Sequence, residues 1–296
     1  MDFDLVTIQP IQAAWLSAEN ISLDVLRLDK IHPIVSGNKW FKLKYYLQEA
    51  VALKHTTVAT FGGAWSNHIV AAAYACQEAG LKSIGIIRGE QSPALTATLK
   101  LAKEYGMELI FVTRESYRKK AAIINDYATN NWFWISEGGY GEQGAKGASE
   151  IFQIADFSNY THIIAAVGTG TMLAGLVLSA GNHQKVIGIS SMKGNVSLHE
   201  EVLSLTALQK PGATFQMIHD YHFGGYGKYP KPLIDFINDV HSNYRLPLDI
   251  IYTGKTFYAI KDLVTKKFFE PASKLLMIHS GGLQGNKSLP RELLAF

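Results

Sequence analysis

Cysteine is almost missing from this 296-residue chain, since Cys76 stands alone. No internal disulfide framework can form, and a reducing, cytoplasmic setting is the expectation. No basic block occurs either. The 28 basic and 25 acidic residues leave a net charge of +3, and without a cluster that could follow a phosphate backbone, nucleic acid is not an expected partner. His219 and His222 are near neighbours, yet they lack the paired framework that zinc uses, so no metal is expected. Charge is absent from Thr161 to Gln184, a length that could cross a bilayer. Its middle, Gly168-Thr169-Gly170-Thr171, is a turn sequence, so the halves are predicted as a buried strand, Ile163–Val167, and a helix, Met172–Ala180. No membrane span is expected. Met1 to Trp15 carries Asp2 and Asp4 before any basic residue and has no continuous apolar core, which does not read as a secretory signal.

What is present is a strong core-forming pattern. Hydrophobic residues make up 47% and charged residues 18% of the chain, the balance of a globular protein with one large or two modest domains. Strands are predicted at Ser22–Leu28, Thr57–Phe61, Ser83–Ile87, Met107–Val112, Trp132–Ile135, Ile163–Val167, Val186–Ser190, Phe215–Ile218 and Lys274–His279. Helices are predicted between them, over Lys39–Lys54, from Ser66 or Asn67 to Gly80, and over Pro93–Tyr105, Ser116–Thr129, Ala145–Ala155 and Met172–Ala180. A further helix ends near His241, and the apolar run Leu248–Tyr252 leads into another that reaches Lys267. Such alternation predicts an α/β protein with largely parallel sheets. Strand ends repeatedly meet Gly, Ser or Thr, and in open α/β sheets that edge is where ligands bind.

Ser36-Gly37-Asn38-Lys39-Trp40-Phe41-Lys42 is the first candidate for chemistry. Lys39 and Lys42 share one face of the helix they open, beside unpaired N–H groups and the positive end of its dipole. Cations cost stability there unless an anion or an electrophile meets them; two solvated lysines are the alternative. Gly168 to Thr171, between strand and helix, can cradle an anion on its backbone N–H groups or can be a plain tight turn. Gly139-x-Gly141-x-x-Gly144 matches a dinucleotide fingerprint, but Val167-Gly168 stands where an acidic residue is expected, which weakens a nicotinamide-dependent oxidoreductase reading. Thr253-Gly254-Lys255-Thr256 resembles the tail of a P-loop, with Asp249 in place of the leading glycine. Ser36-x-x-Lys39 matches a Ser-Lys catalytic pattern, but the Lys-Thr-Gly tripeptide is missing. Trp65, Trp132 and Trp134 read as core or cleft residues.

Taken in order, Ser36-Gly37-Asn38-Lys39 with Lys42, Trp65-Ser66-Asn67-His68, Gly168 to Thr171, Phe223-Gly224-Gly225-Tyr226-Gly227, Tyr252-Thr253-Gly254-Lys255 and His279-Ser280-Gly281-Gly282 resemble the 1-aminocyclopropane-1-carboxylate deaminase and D-cysteine desulfhydrase family. The resemblance implies pyridoxal 5'-phosphate as cofactor and the tryptophan synthase β-subunit type of fold, with two three-layer α/β domains: residues 1–52 with 149–296, and residues 53–148. It implies a small amino-acid substrate and admits a homodimer. Lys39 would hold the cofactor and move the substrate's α-proton. Lys42 and the backbone of Gly168, Thr169, Gly170 and Thr171 would hold the phosphate. Asn67 would bond the ring's phenolic oxygen, Ser66 the substrate carboxylate, and Ser280 or Thr253 the ring nitrogen. Tyr226 and Tyr252 would flank the substrate, and a phenol needs a shifted pKa to act as a base at neutral pH.

The deaminase branch of the family has a glutamate after the tyrosine; here the position is Thr253. That difference favours β-elimination from an amino acid such as D-cysteine over opening of a cyclopropane. Other departures are Ser36 where the family has Gly, Tyr140-Gly141 after Gly138-Gly139 where it continues Ser-Asn, and the bulky Trp65. Deamination of aminocyclopropane carboxylate and a non-catalytic binding protein that keeps cofactor or amino acid are the alternatives.

Overall fold

The computed structural model describes residues 1–207 and 211–296. Strand β1 (Ile8–Ile11), helix α1 (Ala14–Ser17) and β2 (Ser22–Leu26) open the chain, followed by α2 (Lys39–Ala52), β3 (Thr57–Gly63), α3 (Asn67–Glu78) and β4 (Lys82–Arg88). Next come α4 (Ala97–Glu104), β5 (Met107–Val112), α5 (Arg114–Arg118), α6 (Lys120–Asp126), β6 (Phe133–Ile135) and α7 (Glu142–Ser149). The remainder is β7 (His162–Val167), α8 (Thr171–Ser179), β8 (Lys185–Ser190), α9 (Leu198–Thr206), β9 (Thr214–Ile218), α10 (Lys231–Tyr244), α11 (Thr253–Thr265) and β10 (Lys274–Ile278).

These strands form two sheets, ordered β1-β2-β10-β7-β8-β9 and β5-β4-β3-β6. All neighbours are parallel except the edge pair β1 and β2. Helices cover both faces, so the central strands are buried on both sides and read as unbroken apolar runs such as Ile163 to Val167. One core lies between the six-stranded sheet and α10 and α11, with Leu233, Ile237 and Phe257. A second, on its other face, takes Ala145 and Ala148 of α7 and Leu173 and Leu176 of α8.

Helix α2 belongs to both sheets. Its Phe41 packs in the second core of the large sheet, while Leu43 and Leu47 pack with Val58 of β3 and Ile69 of α3. Its start is fixed by a tight turn: Gly37 has φ +67, and a Cβ there would sit 1.9 Å from Ser280 O. Lys39 is thereby brought against the end of β10.

Several expected boundaries move, each for a local reason. The helix expected from Pro93 starts at Ala97, where the Thr96 hydroxyl accepts from Leu99 N–H. The one expected over Ser116–Thr129 is two short helices, started by Thr113 and broken at Lys119. The helix expected at Ala145–Ala155 starts at Glu142 and ends at Ser149. Leu248–Tyr252 is an irregular turn, not a strand, because the Asp249 carboxylate draws in the N–H groups of Ile251, Tyr252 and Thr253. Strand β1 and helices α1 and α9 are additions to the expected set. The Gly139–Gly144 passage serves packing: a Cβ on Gly144 would lie 2.2 Å from Gly139 O, and one on Gly147 would lie 1.7 Å from Phe41 O. Close approach of α7 to its own preceding loop at Gly144 and to the α2 backbone at Gly147 explains these glycines without a dinucleotide. No described helix is long and apolar enough to cross a membrane, and no described group of His, Cys, Asp and Glu could hold a metal ion.

Candidate active site

A cavity of about 850 Å³ opens where the carboxyl ends of both sheets face each other, the edge at which open α/β sheets bind ligands. Lys39, Lys42, Ser66, Asn67, Tyr226 and Tyr252 all line it, together with Gly168, Thr169, Gly170 and Ser280. Residues far apart in sequence thus share one chamber. Thr171 and Thr253 do not reach it: both are fully buried.

Lys39 is the first residue of α2, and burial pushes its amine down to about 8 against the opposing pull of the Asp249 carboxylate. Its neighbour Lys42 is 3% exposed, and burial, reinforced by the Lys39 charge, drives its amine well below the ordinary lysine range. The Lys42 Nζ donates to Thr169 Oγ1 at 3.3 Å, and that hydroxyl is 3.1 Å from Thr171 Oγ1. Behind it, α8 begins from Gly170 in the left-handed conformation without a side-chain cap, so its first N–H groups and dipole face the same spot. The Lys42 amine, whose protonated form a bound anion would favour, and the helix start together make an anion cradle.

Across the cavity, Ser66 caps α3, its hydroxyl accepting from Ile69 N–H at 3.4 Å. Asn67 Nδ2 donates to Gly282 O at 3.3 Å, which ties α3 to the loop after β10. His68 is 3% exposed, and burial, with the charges of Lys39 and Lys42, keeps its imidazole far below the usual range and therefore neutral.

Tyr226 and Tyr252 meet edge to face with ring centroids 6.3 Å apart. Burial raises both phenols, Tyr252 strongly, so at neutral pH they are hydrogen-bond donors and not bases. One helix start holds the pair. Asp249 Oδ1 accepts from Ile251 and Tyr252 N–H at 2.8 Å each, and Oδ2 accepts from the Thr253 N–H at 2.9 Å and hydroxyl at 2.6 Å. Lys255, fully buried in the first turn of α11, donates to His222 O at 2.9 Å and Gly225 O at 2.8 Å, pinning the loop that carries Tyr226. Burial lowers the Lys255 amine to about 8, with Asp249 opposing.

Sequence reasoning gave no role to His68, Asp249 or Lys255. Lys255 carries the same signal that singled out Lys39, a cation in the first turn of a helix, and Asp249 precedes that turn as a helix-capping acid would. For His68 no pattern in the chain announces the cavity-side position.

The fit of these residues to pyridoxal phosphate can be judged from groups left incomplete. Asn38 Oδ1, Asn67 Oδ1 and His68 Nδ1 are buried polar atoms without hydrogen-bond partners, and all three side chains line the cavity. At Gly168 a Cβ would lie 3.2 Å from the Tyr252 ring, filling space beside the anion cradle. An anion cradle, a lysine amine near neutrality and unpaired polar atoms around one chamber suit a phosphorylated aldehyde bearing a phenol.

Comparison with known proteins agrees. A family profile described as pyridoxal-phosphate dependent enzyme matches residues 11–281. A Pyrococcus abyssi protein provisionally named 1-aminocyclopropane-1-carboxylate deaminase is 29% identical over 308 residues, covering 96% of this chain and 92% of its own. The mitochondrial bifunctional D-cysteine desulfhydrase/1-aminocyclopropane-1-carboxylate deaminase of Arabidopsis thaliana is 27% identical over 283 residues, covering 85% of this chain and 70% of its own. A crystal structure of an ACC deaminase homologue superposes with a TM-score of 0.79 at 27% identity, over 95% of this chain and 90% of that one. With cradle, lysine and fold in agreement, the chain belongs to the pyridoxal-phosphate dependent enzymes of the tryptophan synthase β-subunit-like fold, in the 1-aminocyclopropane-1-carboxylate deaminase and D-cysteine desulfhydrase family.

Proposed function

We propose that the protein catalyses β-elimination from a small amino acid such as D-cysteine, taking up one water and releasing pyruvate, ammonia and hydrogen sulfide. The observation that carries this is Lys39: an amine near pKa 8, in the same cavity as an anion cradle only one helical turn away. Pyridoxal phosphate, when bound, supplies an electron sink for the α-carbon. The protein supplies the rest. Lys39 holds the cofactor and moves the α-proton, because it is the cavity amine closest to neutrality that is not committed to the phosphate cradle. Lys42, the backbone of Gly168 to Gly170 and the start of α8 behind them hold the phosphate, Asn67 the phenolic oxygen, and Ser66 at the start of α3 the substrate carboxylate. Tyr252 and Tyr226, kept protonated, donate to the substrate side chain and its departing group.

Ser280 is the better partner for the ring nitrogen. Thr253 lies outside the cavity lining and gives its hydroxyl proton to Asp249. Deamination of aminocyclopropane carboxylate is the alternative, suggested by the names of relatives; the absence of a carboxylate at position 253 weighs against it. The two-domain division belongs to the same proposal, with the second crossing drawn before α7, since Ala145 and Ala148 pack in the core of the six-stranded sheet. Closure of the smaller domain would bring Ser66 and Asn67 onto the substrate and exclude water.

The test is an absorbance spectrum of the purified protein before and after D-cysteine, with borohydride reduction and peptide mapping. Cofactor trapped on Lys39, with sulfide and pyruvate appearing together, is the expected result. A coloured protein inert to D-cysteine would remove that substrate, and a colourless protein that cannot be reconstituted would remove the site assignment.

A further inference from the structure

The cavity holds more positive positions than a cofactor and a simple amino acid need. The α8 start with Lys42 is one, and the α3 start with Ser66 is another. A phosphate and an α-carboxylate fill these two. Arg88 is the third. It ends β4 in register with Gly63 of β3, lines the cavity, and reaches within 5.8 Å of the Tyr117 ring centroid. It shares the cavity lining with Tyr226, which in the proposed site lies beside the substrate side chain, and its charge opposes the rise that burial gives the phenols of Tyr226 and Tyr117.

The other charged groups near it in the lining are engaged: the Glu201 carboxylate accepts from the Tyr140 hydroxyl. Lys120 Nζ is 2.6 Å from Glu137 Oε2 and lies over the rings of Phe61 and Tyr117, 5.6 Å and 5.2 Å from their centroids. Arg88 has no carboxylate partner among the described residues, and Glu137, which lines the same cavity, is taken by Lys120. The chamber therefore keeps one uncompensated guanidinium, a group whose planar fork suits carboxylates and similar oxyanions.

We propose that Arg88 is a specificity-determining residue that favours amino acids whose side chain ends in an anionic group over neutral ones of the same size. The inference rests on the cofactor at Lys39 and the α-carboxylate at Ser66. It does not require D-cysteine to be a poor substrate; it ranks side chains by their charge at a fixed size.

Equilibrium titration of the cofactor-loaded protein, followed by the shift of its absorbance band, provides the test. Aspartate and asparagine, in both enantiomers, match in shape and differ in charge, and alanine reports the α-carboxylate alone. The expected result is a dissociation constant for one enantiomer of aspartate about tenfold or more below that for asparagine, with a gap that shrinks as salt is raised. In Arg88→Gln the gap closes, and in Arg88→Lys part of it remains. Because Arg88 is exposed, both variants keep the fold, which their cofactor content verifies. Equal constants for aspartate and asparagine in the parent, or a gap that survives Arg88→Gln, overturn the proposal. A loss of alanine binding in Arg88→Gln as large as the loss of aspartate binding also overturns it, by placing Arg88 on the α-carboxylate. Absence of a lysine-bound cofactor is visible before any amino acid is added; it ends the reading of the site proposed above, and this inference with it.

Discussion

The hydroxyl of Thr60 lies between Ile135 O and His68 Nε2, 2.8 Å from each. A hydroxyl has one proton to give. The carbonyl can only accept, so Thr60 donates to Ile135 and must accept from His68 Nε2–H. The imidazole is thus fixed as the Nε2–H tautomer, with a bare Nδ1 lone pair beside Lys39 and Lys42. Nitrogen-15 NMR of the imidazole is expected to show one protonated and one unprotonated ring nitrogen, with no titration in the ordinary histidine range. Thr60→Val leaves Ile135 O and His68 Nε2–H without their partner and is expected to destabilise the fold by about 1–3 kcal/mol, read by chemical denaturation. A His68 protonated at Nδ1 in the parent would contradict the hydrogen-bond chain.

Lys255 gives a pH effect of definite sign. Its folded pKa, about 8, lies below the unfolded value, so between the two the unfolded chain binds more protons and stability rises with pH. For this buried group the gain between pH 8 and 9 is about 1 kcal/mol. Denaturation curves of the parent and of Lys255→Met, compared at both pH values, should show the variant losing that increment. Faster amide hydrogen exchange over residues 222–227 in the variant would show the Tyr226 loop released.

If Lys42 holds the phosphate as proposed, its replacement should separate phosphate binding from ring binding. Replacement by Met is expected to weaken pyridoxal phosphate by roughly 10- to 100-fold, the loss of one charge-assisted hydrogen bond. Pyridoxal, which has no phosphate, should bind the parent and the variant alike. Absorbance titration of the apoprotein measures both, and an equal loss for the two ligands would move Lys42 away from the cradle.

In the proposed site Lys39 would attach to the cofactor as the free amine, which with its pKa at about 8 is roughly a tenth of the population at pH 7. The rate of cofactor uptake by apoprotein should therefore rise close to tenfold per pH unit below 8 and level off above it. A rate still climbing at pH 10 would return Lys39 to the ordinary lysine range.

Much of this could be read in the chain because it is periodic. Runs such as Ile163 to Val167 are apolar throughout, since both faces are covered, and the strand-helix alternation around them makes a parallel α/β arrangement legible. Lys39 and Lys42 were legible for another reason: cations in a first turn contradict the helix dipole, and a contradiction points to a partner. The elements that escaped prediction depend on distant residues. Strand β1 carries the exposed Pro10 and is a strand only because β2 lies beside it. Leu248–Tyr252 has the apolar content of a strand but is bent around the Asp249 carboxylate. Thr253 sits next to Tyr252 in sequence, but the same carboxylate turns it away from the cavity, which spacing alone could not reveal.

Helix α2 has a consequence for how the molecule comes apart. Phe41 is lodged in the core of one sheet while Leu43 and Leu47 are lodged in that of the other. Loosening either core would strip the helix of half its buried face, and the remaining half could not hold it against the entropy of the chain. The shared helix therefore leaves the two sheets without an independent melting seam between them, and they are expected to unfold in one transition, with the lysine at its tip held until both cores are lost.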